Sequence, residues 1–471
     1  MKGKLHPFIW VIIISIPFVL WAKLLILPAF DDWFTLSSPN YDPNFAQYFL
    51  PNGSFWRPFD AAIGYLYGWI GYKWFPTLSH ILIFMAHLGS TLLVYKICAN
   101  LGFNHLSRAI TAVFFYMSPC VLATVMACDS LNQSYSHFWG MLSIWFYFNS
   151  KGRLKHFLWL GCIVFAVLSK ENGLAWAIIP PILAFGFEKI DRKTCIKHIS
   201  YGILLAMGYA IIRLSLPLTE NYSEEYHSLF DISRKIKAFA ILICYTWLPG
   251  DYIYLFHAPS RNILLFLLTL IPTLPFIGIL FFRNRKRLIN RQFLTLAFCA
   301  FIAASPNLLI TMSMMNAYAW LGLAALVVGW CVNGIIDKKI LSTFFVLYLL
   351  ATTYTYVHHW YSTWQTSLPS HEMAIEAIEK TGRRIDKVYV ITIQEQESKY
   401  SSFCTLPSEA FGWGRAVLLE TGYQWPTVFG DTIIDYNSNQ NIIDSIVYHA
   451  LDKNYDCIWI VKNNHVEVKK P

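Results

Sequence analysis

The sequence predicts an α-helical polytopic membrane protein with about eleven transmembrane helices and a small C-terminal α/β domain on the non-cytoplasmic side. Three observations carry that expectation. Of 471 residues, 56% are hydrophobic, 17% aromatic and 14% charged, whereas a soluble domain carries about 25% charged residues. Apolar runs of about 20 residues, the length needed to cross a hydrocarbon core, recur through the first three quarters of the chain. The charge also divides: 27 Lys and Arg stand against 14 Asp and Glu before residue 360, and 10 against 14 after it. The net +9 therefore belongs to short loops flanking the apolar runs, and nothing in it points to nucleic acid.

The runs lie near 8–28, 78–97, 108–127, 130–149, 157–169, 172–187, 199–217, 260–282, 292–311, 317–336 and 340–359. Lys and Arg collect in cytoplasmic loops. With the N-terminus inside, the clusters Lys96 and Arg108, Lys151 to Lys155, Lys189 to Lys197, Arg283 to Arg291, and Lys338 with Lys339 all fall on that side. The odd count places the first loop (29–77), the 218–259 loop and everything after His359 outside. The division is thus 1–360 for the membrane domain and 361–471 for the outer one. Two shorter stretches, Ile236 to Leu248 and Phe59 to Phe75, read as helices that lie in the interface or re-enter the membrane.

Lys2 and Lys4 precede the first run as in a signal peptide, but the apolar core is long and no small-x-small site follows, so it reads as a retained span. Eight of the ten cysteines lie in or near apolar runs and read as small buried side chains. Cys404 and Cys457, in the tail, are the pair that an oxidising compartment could join. The tail alternates strand-like segments, Lys387 to Ile393 and Cys457 to Val461, with helical ones, His371 to Lys380 and Ile442 to Leu451. About 100 residues suffice for one α/β domain.

Polar residues that could carry chemistry gather on the outer face of this topology. Asp31 and Asp32 follow the first span, where desolvation and mutual repulsion raise carboxyl pKa values and suit a proton acceptor; the plain alternative is a solvated loop start. Arg57 stands among aromatics, placed to bind a phosphate or to anchor to headgroups. His80 and His87 share a helix face and face either the same chamber or the core. Asp129 ends the third span, with Asn132, Gln133 and His137 after it. Lys170 and Glu171 interrupt a long apolar stretch, where ionisable residues mark a functional site or a self-neutralising hinge.

Taken in order, Asp31-Asp32, Arg57-Pro58, His80 to His87, Ser118-Pro119, Asp129 and Leu168-Ser169-Lys170-Glu171 resemble the GT-C superfamily of integral membrane glycosyltransferases, especially the branch of protein O-mannosyltransferases and their bacterial relatives. The resemblance covers roughly residues 1–185. It implies that Asp31 or Asp32 acts on the acceptor and that Arg57 and Lys170 hold a polyprenyl-phosphate sugar donor, with His80, Asp129 and Glu171 as further chamber residues. It also implies a protein, glycan or lipid acceptor, contact with membrane lipids, and a bacterial inner membrane with the tail in the periplasm. Where relatives often carry a basic-aromatic motif near the penultimate spans, this chain reads Met314-Met315-Asn316-Ala317-Tyr318-Ala319-Trp320, without a cation.

The expected activity is therefore transfer of a sugar from polyprenyl phosphate to an acceptor hydroxyl, with inversion. The rivals are a transporter or flippase of a lipid-linked sugar and a polymerase or ligase of lipid-linked oligosaccharides. No cofactor is required by the sequence, and a divalent metal stays an open alternative for the acid pair. The Asn-x-Ser/Thr sites at Asn52, Asn132 and Asn221 do not decide the compartment. The orientation is testable: a reporter active only outside the cytoplasm should work when fused after Pro369 and be silent after Arg287, and the opposite pair reverses the topology.

Overall fold

The computed structural model describes residues 6–28, 49–50, 56–214, 231–248, 259–310, 314–394, 428–435, 439–462 and 465–470. Among these, eight helices are long and apolar enough to cross a membrane. They match eight of the eleven expected runs, and each of the other three departs for a local reason. Helix α1 (Pro7–Leu24) and α2 (Pro58–Ile70) are followed by α3 (Phe75–Asn100), which matches the run at 78–97. The 108–127 run is two helices, α4 (His105–Met117) and α5 (Val121–Val125). Ser118 is extended at φ −58°, ψ 141° because Pro119 follows it, as the proline ring excludes the helical region for the residue before it. Helix α6 (Leu131–Asn149) is 19 residues long but opens on Asn132, Gln133, Ser134 and Ser136, too polar for a simple span. After α7 (Gly152–Ser169) the 172–187 run is a 3-10 turn, Glu171–Ala177, and the short α8 (Ile179–Gly186).

The later helices are α9 (Arg192–Leu214), α10 (Ile232–Trp247), α11 (Pro259–Asn284), α12 (Arg291–Ala304), α13 (Met314–Asn333) and α14 (Lys338–Thr381). At 16 residues, α10 is about 24 Å long, short of a bilayer core of about 30 Å. It buries Ala238, Leu242, Thr246 and Trp247, and Trp320 of α13 donates to Thr246 Oγ1 at 2.9 Å.

Helix α13 is the axis of the bundle, with 94% of its apolar window buried. Close approach depends on glycine: a Cβ at Gly322 would stand 2.7 Å from Met141 Sδ, and one at Gly329 2.3 Å from Thr111 Oγ1. Small residues let helix backbones meet where no hydrophobic effect drives them together. Beside α13, His87 and His137 are fully buried core histidines. The carbonyl of Tyr116 accepts from His87 Nε2 (3.2 Å), so Nδ1 accepts from the Tyr318 hydroxyl (2.9 Å). His137 Nε2 accepts from the Gly322 amide (3.2 Å), which leaves its Nδ1–H to donate to Ser90 Oγ (3.3 Å).

Helix α14 has 44 residues, about 66 Å of helix, twice a bilayer core. Its first half, Lys338–His358, is the apolar span; the rest continues past residue 360 and ends at Gly382, whose φ of +71° reverses the chain. Four strands follow, β1 (Lys387–Gln394), β2 (Val428–Asp435), β3 (Cys457–Lys462) and β4 (His465–Lys469), with α15 (Gln440–Asp452) before β3. The order is β2-β1-β3-β4, with β1 parallel to both neighbours and β4 antiparallel. Strand alternation sends Val388, Val390, Trp459 and Val461 to one face, against Met373 and Ala377 of α14. It sends Ile391, Ile393, Ile458 and Ile460 to the other, with Ile443 and Ala450 of α15. The first cluster also takes in Tyr67, Tyr72, Phe75 and Leu131, so this domain is packed onto the adjoining ends of α2, α3 and α6. Strands β2 and β4 are additions to the two that the sequence predicts. Cys457 is buried in β3, and Cys404 lies outside the described residues.

The turn after α7 is the tightest point near the polar residues. A Cβ at Gly173 would lie 2.4 Å from the Ala166 carbonyl carbon and 2.6 Å from the Val167 nitrogen, both backbone. Gly173→Ala should therefore lower the melting temperature in detergent by several degrees, since overpacking of this kind costs about 1–3 kcal/mol. Gly161→Ala, where an added Cβ meets nothing within 4 Å, should leave it unchanged or slightly higher.

Candidate active site

Helix α2 starts at Pro58, whose fixed φ suits a first helical turn, and Arg57 is its N-cap residue. Helix α7 ends as Lys170 turns extended, at φ −158°, ψ 143°, and Glu171 opens the 3-10 turn. The two ends meet. Arg57 Nε donates to Glu171 Oε1 (3.1 Å) and Oε2 (3.3 Å), and Nη2 to Oε2 (3.0 Å). The pair's side chains are 25% and 29% exposed, so this forked ion pair is stronger than a surface pair, worth about 0–1 kcal/mol, without bearing the desolvation of a dry interior. Burial pushes the Glu171 carboxyl up, but the Arg57 charge and hydrogen bonds, with Lys170, outweigh it and hold the group below its ordinary range.

One turn into α2, three residues beyond Arg57, Asp60 Oδ2 accepts from Asn132 Nδ2 of α6 at 3.2 Å. Burial raises this carboxyl to about 6, against the pull of Arg57, the Asn132 amide and Lys170 and with added repulsion from Glu171. The Lys170 ammonium makes no hydrogen bond or ion pair with the described residues. Burial, then the Arg57 charge, lower it to about 8, while Glu171, Asp129 and Asp60 limit the fall. Asp129, just ahead of α6, accepts from Ser130 Oγ at 3.2 Å. Behind the charged groups, Asn172 donates to Gln133 Oε1 (3.3 Å) and accepts from Ser136 (3.1 Å). Trp56 stacks on Tyr209 of α9 at 6.0 Å, closing one side with aromatic surface.

Of the residues singled out from sequence, Arg57, Lys170, Glu171 and Asp129 come together. His80 is buried and bonded elsewhere: its Nε2–H donates to the Ile26 carbonyl (2.9 Å), with Sγ of Cys128, the residue before Asp129, 3.3 Å from the same nitrogen. It thereby fixes the end of the first helix, five residues ahead of Asp31 in the chain. Asp31 and Asp32 themselves lie outside the described residues. Asp60 joins the cluster although its stretch, Phe59 to Phe75, reads from sequence only as an interfacial or re-entrant helix. Its spacing of three from Arg57 on one helix face was the available signal. Among the described residues, no three His, Cys, Asp or Glu side chains converge as metal ligands.

No family model and no curated protein matches the chain. Its layout is similar to two solved membrane enzymes. One is ArnT from Cupriavidus metallidurans bound to undecaprenyl phosphate (10% identity, TM-score 0.48, covering 98% of each chain). The other is the oligosaccharyltransferase AglB from Archaeoglobus fulgidus in complex with an inhibitory peptide and a dolichol-phosphate (13% identity, TM-score 0.43, covering 95% of this chain and 69% of that one). Identities this low leave the chemistry of this chain to be argued from its own residues.

Proposed function

We propose that the protein is a membrane glycosyltransferase that moves a sugar from a polyprenyl-phosphate donor to an acceptor hydroxyl, of a protein, glycan or lipid, on the non-cytoplasmic face. The observation that carries the reading is that Arg57, half-buried in its pair with Glu171, and Lys170 meet at the ends of α2 and α7, with the Lys170 ammonium unpaired among the described residues. A phosphate is an adequate leaving group, so the protein's main task is to stabilise the charge that develops on it. Lys170 supplies a point charge, and Arg57 a second cation that Glu171 holds in place beside it. As the bond from the anomeric carbon to the phosphate oxygen breaks, a bond to the acceptor oxygen forms from the opposite face. The acceptor proton passes to a carboxylate, assigned to Asp31 or Asp32, and the anomeric centre inverts. His80 serves this arrangement by positioning the backbone that leads into the acid pair.

The test is incubation of the purified full-length protein with a panel of radiolabelled polyprenyl-phosphate sugars, scoring released polyprenyl phosphate and labelled acceptor. Movement of intact donor across vesicles without cleavage would favour the transporter instead. Arg57→Ala and Lys170→Ala should each weaken donor binding roughly ten- to hundredfold, the loss of one charge-assisted contact of about 1.5–3 kcal/mol. A folded variant with unchanged donor affinity removes that residue from the site. Asp31→Asn should bind donor normally while transfer falls about a hundredfold or more, with Asp32→Asn less affected. Full transfer by both single variants and the double variant would overturn the assignment of the base. Loss in both, with activity abolished by chelators and restored by divalent cation, would make the acids a metal site.

A further inference from the structure

We propose that Asp60 couples donor binding to a proton: it is neutralised when an anionic phosphate enters the site and returns that proton to the phosphate once the sugar has left. The inference rests on the donor reading above and deepens it. When every group is ionised, the described residues of the cluster set two cations, Arg57 and Lys170, against three carboxylates, Asp60, Asp129 and Glu171, so these groups together carry one negative charge in excess. A phosphodiester adds another. Like charges crowded into a poorly hydrated site cannot all stay ionised, and the cluster relieves this most easily by protonating one carboxyl.

The hydrogen bonds select which one. Glu171 is engaged on both oxygens by Arg57 and stays ionised. Asp129 already accepts from Ser130 and takes part in further interactions. Among the described residues Asp60 receives one side-chain hydrogen bond, on Oδ2, from Asn132, and none of them engages its other oxygen, where a proton can sit. The charged groups that act on it are Arg57 from its own helix and Lys170 and Glu171 from the end of α7. Of these, Arg57 and Lys170 favour its ionised form, and Glu171 favours the protonated one.

The proton balance closes. One proton enters from solvent with the donor and sits on Asp60. Cleavage of the sugar–phosphate bond turns the monoanionic diester into a phosphate monoester that would be dianionic. Transfer of the Asp60 proton lets it leave as a monoanion and restores the carboxylate. The proton of the acceptor hydroxyl departs separately through the base.

The test uses the purified full-length protein and a short polyprenyl phosphate methyl ester, a diester that keeps one negative charge from pH 5 to 7.5. Binding is followed by tryptophan fluorescence. Asp60 is raised to about 6, so its neutral form prevails below that pH. Wild-type affinity should be greatest there and fall up to about tenfold per pH unit above it; stopping at about 7.5 keeps Lys170, lowered to about 8, mostly charged. Asp60→Asn, permanently neutral and able to accept from Asn132, should bind with little pH dependence and about tenfold or more tighter than wild type at pH 7.5. Asn132→Ala strips the hydrogen bond that favours the carboxylate, so the midpoint of the wild-type slope should move to higher pH. An Asp60→Asn protein that keeps the wild-type slope overturns the proposal, as does an unmoved midpoint in Asn132→Ala, and the second test holds even if Asp60→Asn does not fold. A wild type that binds the probe at no pH overturns the donor reading as well, whereas one that binds and turns over donor with no difference between variants overturns only the role of Asp60.

Discussion

A helix that ends at the edge of a membrane leaves backbone groups that need partners, because neighbouring lipid offers none. The break after Ser169 meets that demand locally, and the candidate site depends on it. The Lys170 amide still bonds back to Ala166 (3.0 Å), and the Gly173 amide closes onto the Lys170 carbonyl (2.9 Å). Gly173 then lies against the α7 backbone at a distance that only a missing side chain permits. The side chain of Asn172, facing the bundle, is taken up by Gln133 and Ser136 of α6. With the inner side of the turn satisfied, Lys170 and Glu171 are left to project toward α2. There Glu171 meets Arg57, and that ion pair with the Asp60–Asn132 hydrogen bond joins α2 to the end of α6 and to the turn after α7.

Much of this was legible in the residues, for reasons that differ by element. Long uniform runs such as 78–97 and 317–336 announce spans because length and apolarity suffice. Lys170-Glu171 announced itself because two charges in an apolar stretch are costly. What sequence does not show is the internal break in a segment of the right length. The 108–127 run reads as one uniform helix until Pro119 is given its effect on Ser118, and 172–187 does so until Gly173 and the two prolines of α8 are seen to divide it. In the tail, Lys387 to Ile393 and Cys457 to Val461 show as strands because both faces are buried and the runs are continuous. Strand β4, His-Val-Glu-Val-Lys, shows only a short exposed–buried alternation and is fixed by pairing with β3. Asp60 stayed unread because its meaning is relational: only contact with α6 makes a helix-start acid part of a charged cluster.

The structure also separates two kinds of polar cluster that a sequence presents alike. His87 and His137 have both ring nitrogens assigned by Tyr116, Tyr318, Ser90 and Gly322. The same logic runs through His156 and His198 at the other end of α7. His156 Nδ1–H bonds the Gly152 carbonyl (3.1 Å) and its Nε2 accepts from His198 Nε2–H (3.1 Å), which leaves His198 Nδ1 to accept from Tyr147. Closed networks of this sort fix helix positions and are worth most when every member is satisfied. The cluster at Arg57 is built on another principle: it is partly exposed, its carboxylates outnumber its cations, and one ammonium has no partner among the described residues. A stability optimum would pair or remove those groups, since an uncompensated charge costs more than a well-packed apolar side chain. Where a fold closes the networks of His87, His137, His156 and His198, the imbalance at the Arg57 cluster is better understood as capacity held for a charged ligand than as a failure of packing.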